Sequence, residues 1–193
     1  MIYTLEGKLN GVGDNFLVLG VGGIGFKVYT NKQTLAGLPQ TGEPLSLFCF
    51  TYIREDASDL YGFREEGALK LFELLNAVSG IGPKTALAIL DLDTVPNIMA
   101  AIIEKRVDLI SRAPGIGEKT AGRIVLELQN RIKMPKANAL SAAMGVNAEV
   151  EEALVGLGYN RSDVRKVLGE VGAEKKTLEE RLREALKIMG RRK

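Results

Sequence analysis

Gly80-Ile-Gly-Pro-Lys-Thr-Ala86 returns 35 residues later as Gly115-Ile-Gly-Glu-Lys-Thr-Ala121, with six of the seven positions identical. Leu74 and Leu109 match upstream at the same spacing, and Ile89 and Ile124 match downstream. This is an internal repeat, and its residues describe a local structure. A helix ends, the chain turns through Gly-Ile-Gly, and a new helix begins. Glycine admits positive φ and close backbone approach, while the isoleucine between the glycines plugs a core. Pro83 falls where the first helical turn needs no N–H donor. The new helix presents free N–H groups and the positive end of its dipole, which suits an anion such as a phosphate. Lys84, Thr85, Lys119 and Thr120 add charge and hydroxyl donors at the same spot. A repeated corner whose glycines only make tight turns is the structural alternative, but it gives no reason for a Lys-Thr pair twice.

The repeat resembles the helix-hairpin-helix motif of DNA-binding proteins, which grips backbone phosphates without reading bases. The candidate DNA-binding set is Gly80, Gly82, Lys84, Thr85, Gly115, Gly117, Lys119 and Thr120, with Arg123 on the second helix added to it. The flanks read as helices over 65–133. In EEGALKLFELLNAVSG, Ala68, Phe72, Leu75 and Val78 lie near one face. NIMAAIIEKR supplies another helical run. In EKTAGRIVLELQNRIK, Ala121, Ile124, Val125, Leu128 and Ile132 recur at helical spacing.

Upstream, residues 2–63 read as strands. IYTLEGKL, NFLVLGV, IGFKVYT and PLSLFCFTYI are rich in β-branched and aromatic residues, with Gly11, Gly13, Asp14, Gly22 and Gly23 as punctuation. Short strands with close turns suit a small five-stranded barrel such as an OB-fold. Gly20-Val-Gly-Gly-Ile-Gly25 fits a dinucleotide fingerprint, but that site needs a helix next. Phe26–Thr30 reads as a strand, so the glycines make a hairpin. No phosphate-binding loop of the ATPase type occurs.

Downstream, 134–147 (MPKANALSAAMGVN) shows little periodicity and reads as a flexible linker. Residues 148–193 carry three helical stripes: Val150, Leu154 and Leu157; Val164, Val167, Leu168 and Val171; Leu178, Leu182, Leu186 and Met189. Ser162 is a candidate N-cap, and Thr177-Leu-Glu-Glu180 is a capping box. On this reading a chain cut after Met144 leaves no open core.

Composition excludes more than it includes. There is no histidine in 193 residues, which removes Ser-His and Cys-His catalysis and His-ligated metals. The single cysteine, Cys49, sits in an apolar run and reads as a small buried hydrophobe. The cytosol is the expected compartment, and no leader or membrane span is read. Net charge is only +2, so any DNA contact must rest on local geometry rather than bulk charge.

Arg54-Glu55-Asp56, followed by Asp59, admits three readings. It is a solvated turn, an acidic projection that repels phosphates and acts as a wedge, or a carboxylate cluster for a metal. The third would make the chain a nuclease. Adjacent carboxylates on an extended strand point to opposite faces, which makes a shared metal awkward.

Taken together, the opening MIYTLEGKL, the Gly22-Gly-Ile-Gly-Phe26 turn, the segment from Arg54 to Phe63, both Gly-Ile-Gly repeats and Leu154-Val-Gly-Leu-Gly-Tyr159 resemble the RuvA family over essentially the whole chain. These proteins recognise four-way junctions in bacterial branch migration. The resemblance implies an α+β multidomain chain, with an OB-fold barrel at 1–63, a tandem helix-hairpin-helix domain at 64–133 and a mobile C-terminal three-helix domain at 148–193. It implies a homotetramer holding Holliday-junction DNA open, with Glu55 and Asp56 as an acidic pin at the crossover. It implies that the C-terminal domain recruits the hexameric ATPase RuvB, with Leu154, Leu157, Tyr159 and Leu186 as partner-binding positions that could equally be core. The RuvC resolvase is a further implied partner. No metal or other cofactor is called for, and ATP hydrolysis falls to RuvB. The stretch before residue 148 is somewhat short for the family.

Overall fold

The computed structural model describes residues 1–55, 58–132, 137–172 and 177–190, and only the backbone of 137–143. The chain divides into two compact units, Met1–Asp91 and Leu92–Lys193. The division falls inside the stretch read from sequence as one tandem domain.

The first unit begins with five strands: β1 (Thr4–Val12), β2 (Phe16–Val21), β3 (Ile24–Tyr29), β4 (Pro44–Ile53) and β5 (Ser58–Phe63). They close into a barrel in the order β1-β2-β3-β5-β4, antiparallel except where β3 meets β5. This is the OB-like barrel expected from the sequence. Alternate residues point inward: Leu5 and Leu9, Leu17 and Leu19, Leu45, Leu47 and Cys49 form the core with Val28 and Leu60. Val21 pairs with Ile24, so Gly22 and Gly23 form a two-residue hairpin turn with φ of +58° and +86°. The glycine run is therefore a turn, as its strand context requires. A short helix that the sequence reading missed, α1 (Lys32–Ala36), links β3 to β4, capped by the Asn31 side chain.

Two helices complete this unit, α2 (Glu66–Asn76) and α3 (Pro83–Leu90). The buried face of α2 is Leu69, Leu71, Phe72 and Leu75. Ala68, read as part of that stripe, is only half-buried, because the larger leucine beside it takes the core position. Phe72 is fully buried. Its ring lies 5.2 Å from Tyr61, 5.1 Å from Phe63 and 5.7 Å from Phe50. Burial pushes the Tyr61 phenol up to about 12, so this ring stays neutral. At its far end, α3 is tied to the barrel by the Lys32 backbone N–H, which donates to Asp91 Oδ1 at 2.7 Å.

The second unit is helical: α4 (Val95–Ile103), α5 (Val107–Ile110), α6 (Glu118–Leu128), α7 (Ala137–Gly156), α8 (Arg161–Glu170) and α9 (Leu178–Gly190). The stripe read on α6 is the buried one, with Ala121, Ile124, Val125 and Leu128 inside and Ile132 beyond it. The run NIMAAIIEKR is helical only to Ile103. Lys105 adopts φ +56°, and Arg106 N–H donates to Ala101 O at 2.9 Å, which closes the helix end in a Schellman turn.

The largest departure concerns 134–147. Residues 134–136 lie outside the described residues, but from 137 onward the stretch is helix and forms the first half of α7. Met144 and Asn147 are buried, and α7 packs against α4. Alanine-rich segments carry strong helix propensity with no large-residue stripe to reveal it. Cutting after Met144 therefore removes part of the cover of α4, contrary to the expectation that no core is opened.

The bundle of α7, α8 and α9 centres on Val150, Leu154, Val164, Val167, Leu168, Val171 and Ala185. Leu157, read into the first stripe, is 66% exposed. Helix α8 is capped by Asn160 rather than Ser162, because the chain re-enters helix directly after Gly158 (φ +91°). Asn160 Oδ1 accepts from Ser162 N–H at 2.8 Å. The capping box at α9 is present: Glu180 N–H donates to Thr177 Oγ1 at 3.3 Å, and Thr177 N–H donates to Glu180 Oε2 at 3.2 Å. Among the described residues no single helix is long and apolar enough to cross a bilayer.

Phe72→Ala is expected to destabilise the protein by about 3–5 kcal/mol, the usual cost of emptying a phenyl-sized core site. Urea unfolding followed by circular dichroism measures it, and a drop below about 1 kcal/mol would mean that the ring contributes little to the core.

Candidate nucleic-acid interface

The sequence repeat is also a repeat of backbone geometry. Helix α2 ends, Gly80 turns at φ +82°, and Gly82 caps α3 with φ −94° and ψ 174°. At the second site Gly115 turns at φ +79°, and Gly117 caps α6 with φ −88° and ψ 169°. Ile81 N–H donates to Val78 O at 3.0 Å, and Ile116 N–H donates to Ala113 O at 3.0 Å. Ile81 and Ile116 are both buried, as the plugging role requires. The first intrahelical bonds also match, Ala86 N–H to Gly82 O and Ala121 N–H to Gly117 O, each 3.0 Å.

No side chain caps either helix start. The N–H groups of Lys84 and Thr85, and of Lys119 and Thr120, precede the first intrahelical bonds and point out of the helix end. Lys84 and Lys119 are exposed, Thr85 and Thr120 are half-buried, and Arg123 is exposed on α6. A Cβ built on Gly82 or Gly117 meets nothing within 4 Å, and neither has positive φ. The protein interior does not require glycine at these two caps. What the missing side chains do is leave the helix ends bare to an approaching group. The two sites differ at the first helical position. Pro83 there is buried, whereas Glu118 is exposed and places a carboxylate in the first turn.

The acidic loop joins β4 to β5. Strands β1, β3 and β5 run one way and β2 and β4 the other, so this loop and the Gly22–Gly23 turn share one end of the barrel, opposite α1. Glu55 is exposed at the tip, and Asp56 lies outside the described residues. Asp59 is paired with Arg54 at 3.2 Å, and the Arg54 guanidinium stands 5.8 Å from the Tyr52 ring centre. The pair braces the base of the loop. Burial pushes the Cys49 thiol up to about 11, which keeps it protonated and unreactive.

The four partner-binding candidates are distributed unevenly. Leu154 is 0% exposed and belongs to the bundle core, Leu157 is out in solvent, and Tyr159 and Leu186 are half-buried against the core. Sequence reasoning missed Phe72 as the tie between barrel and hairpin, and a polar chain from Asp93 through Asn147 to Arg181. Neither had a signal in one sequence, since a buried Arg181 looks like any helix-surface arginine.

The comparisons with known proteins agree with this geometry. Residues 1–62 match the RuvA N terminal domain, 72–130 match the SAM-like helix-hairpin-helix tandem, and 145–190 match the RuvA C-terminal domain. The Holliday junction branch migration complex subunit RuvA of Chloroflexus aggregans is 37% identical over 193 residues, covering 98% of this chain and 99% of that protein. The chain belongs to the RuvA family. Its RuvA relatives from Geotalea daltonii (40% identical, 97% of this chain and 98% of the relative) and Caldanaerobacter subterraneus (35%, 99% and 100%) are similar over the same extent. The RuvA N-terminal match covers the barrel, the tandem match covers both hairpins, and the RuvA C-terminal match begins in the middle of α7.

The two kinds of hairpin glycine should separate by stability. Gly80→Ala and Gly115→Ala force a side chain into positive φ and should each cost about 1–2 kcal/mol. Gly82→Ala and Gly117→Ala should cost less, about 0.5–1 kcal/mol, the difference between glycine and alanine as an N-cap. Thermal and urea unfolding of the four single variants checks the order, and equal destabilisation would mean that the cap glycines serve internal packing.

Proposed function

We propose that this chain binds four-way (Holliday) junction DNA in a structure-selective, sequence-independent way and serves ATP-driven branch migration as its DNA-binding subunit. The observation that carries this reading is the duplicated hairpin, in which two bare helix starts with matching backbone angles each present N–H donors beside an exposed lysine. Such a site holds a phosphate and cannot tell one base from another. The RuvA relatives are named for the Holliday junction branch migration complex, and the same substrate follows for this chain.

The proposed DNA contacts are Gly80, Gly82, Lys84, Thr85, Gly115, Gly117, Lys119, Thr120 and Arg123. Assembly into a homotetramer would multiply two modest grips into one high-avidity surface. Glu55 and Asp56 would then stand as acidic pins near the crossover, repelling phosphates and keeping the strands parted. The C-terminal bundle would recruit the RuvB ATPase, with Leu157 as its most available apolar contact and Tyr159 and Leu186 beside it. Leu154 would contribute only after rearrangement, because it is buried in the core. RuvC would join a larger assembly. The chain is proposed to work in the cytoplasm, without a cofactor of its own.

The deciding experiment is a gel shift of this chain alone against a four-way junction and a linear duplex across a salt series. Preference for the junction supports the reading, and equal affinity overturns it. In the same series, Lys84→Ala or Lys119→Ala should flatten the plot of log K against log salt by about 0.9 for each phosphate that the variant no longer neutralises. Unchanged slopes in both variants would place these lysines off the DNA.

Neutralising the pin has the opposite sign. The double variant Glu55→Gln, Asp56→Asn should bind duplex DNA at least as tightly as the parent, while its preference for the junction falls. Weaker binding to both substrates would show that the carboxylates do not face phosphates. Incubation with junction DNA and Mg²⁺ accompanies this test, and nicking by the parent would favour a nuclease instead.

A further inference from the structure

Three polar side chains far apart in sequence meet where α7 packs on α4. Asp93, just before α4, accepts from Thr94 N–H at 2.7 Å and from Asn97 Nδ2 at 2.8 Å through Oδ1. Its Oδ2 accepts from Asn147 Nδ2 at 3.2 Å. Asn147 lies on α7, and its Oδ1 accepts from Arg181 Nε on α9 at 2.6 Å. Arg181 is 4% exposed, and Asn97 and Asn147 are each 7% exposed. The amide is thus oriented by its neighbours, carbonyl toward the cation and N–H toward the anion, and the reverse orientation would set donor against donor.

A buried arginine and a carboxylate joined through one amide are a poor way to gain stability, because desolvating the charges offsets their attraction. Such a chain does specify one arrangement, since any other register breaks the two bonds that the buried Asn147 amide makes. A second, exposed contact ties α7 to the segment after α5, Arg112 to Glu152 at 3.8 Å.

We propose that Asp93, Asn147 and Arg181 form a polar latch that holds the C-terminal bundle in one docked position against α4, and that opening the latch accompanies partner engagement. The first half stands on the geometry alone. The second half rests on the partner-docking reading above: Leu154 on α7 lies in the bundle core and Leu186 on α9 packs against it. Helix α7 is also the helix packed on α4, so the dock on α4 limits the movement of α7 that presents them, and losing the bond to Asp93 frees that movement.

The latch is tested by exchanging its amide and carboxylate in the full-length protein. Asn147→Asp keeps an acceptor for Arg181 but sets a second carboxylate against Asp93, so the docked state should open. Backbone amides of α4 should then exchange hydrogen about tenfold faster or more, the usual consequence of breaking a buried hydrogen bond. Amides of the bundle core at Val164 and Val167 should keep their protection. Adding Asp93→Asn to Asn147→Asp restores an amide facing a carboxylate, and protection of α4 should return. Unchanged exchange in the single variant, or no recovery in the double variant, overturns the latch. Titration of the purified RuvB hexamer tests the second half. Asn147→Asp should bind it several-fold more tightly than the parent, because a docked state lowers apparent affinity. Equal or weaker binding overturns the coupling of latch to partner, and absence of binding by every variant, parent included, overturns it together with the partner-docking reading, while the exchange rates still decide the latch.

Discussion

The ring of Phe72 is shared by two parts of the molecule, the barrel and the helix that leads into the first hairpin, and it fixes the geometry between them. It projects from α2, which leads into the first hairpin, and it packs on Phe50 of β4 and on Tyr61 and Phe63 of β5. Strands β4 and β5 carry the acidic loop between them. The acidic loop and the first hairpin are therefore both tied to one aromatic contact. Asp91 pins the other end of the hairpin helix to the barrel through Lys32 N–H. Helix α3 starts about 12 Å from that anchor, given the rise of an α-helix. With both ends of the hairpin fixed to the barrel, the separation of the acidic loop from the first hairpin is set by packing rather than by a loop.

The proposed grips rely on backbone more than on charge. A net charge of +2 over 193 residues gives little long-range attraction to DNA. Two uncapped helix starts supply oriented N–H donors without adding bulk charge, and each brings one exposed lysine. Each site by itself suits a phosphate that its N–H donors can reach over a diffuse negative potential. The two sites are not electrostatically equal. Glu118 in the first turn of α6 complements the helix dipole but opposes a phosphate at the same place, whereas Pro83 at the matching position adds no charge. The second grip should be the weaker of the pair for this reason.

The C-terminal bundle combines a small apolar core with ion pairs at its edge. Glu151 is nearly buried and is held between Arg161 at 3.0 Å and Arg165 at 2.9 Å, which ties α7 to α8. Asn147 and Arg181 tie α7 to α9. About 45 residues make a marginal core on their own, and packing of α7 on α4 adds to it. The outward placement of Leu157 beside the Gly158 turn leaves one large apolar side chain available while this packing is kept.

Much of this was legible in the sequence because it is local. The hairpins depend on residues within seven positions of one another, so Gly80, Ile81, Gly82 and their counterparts announced the turn. The capping box at Thr177 and Glu180 is likewise a three-residue contact, and strand alternation with Gly22–Gly23 sufficed for the barrel. Other features depend on which distant surfaces meet. Three barrel aromatics had to be gathered around Phe72, and the small residues at the start of α7 gave no periodic signal of a helix packed on α4. The Asp93–Asn147–Arg181 chain spans separations of 54 and 34 residues. A polar side chain reads alike in sequence whether it faces water or is buried against a partner, and only the packing of α4, α7 and α9 decided that Asn147 and Arg181 are buried and joined to a half-buried Asp93.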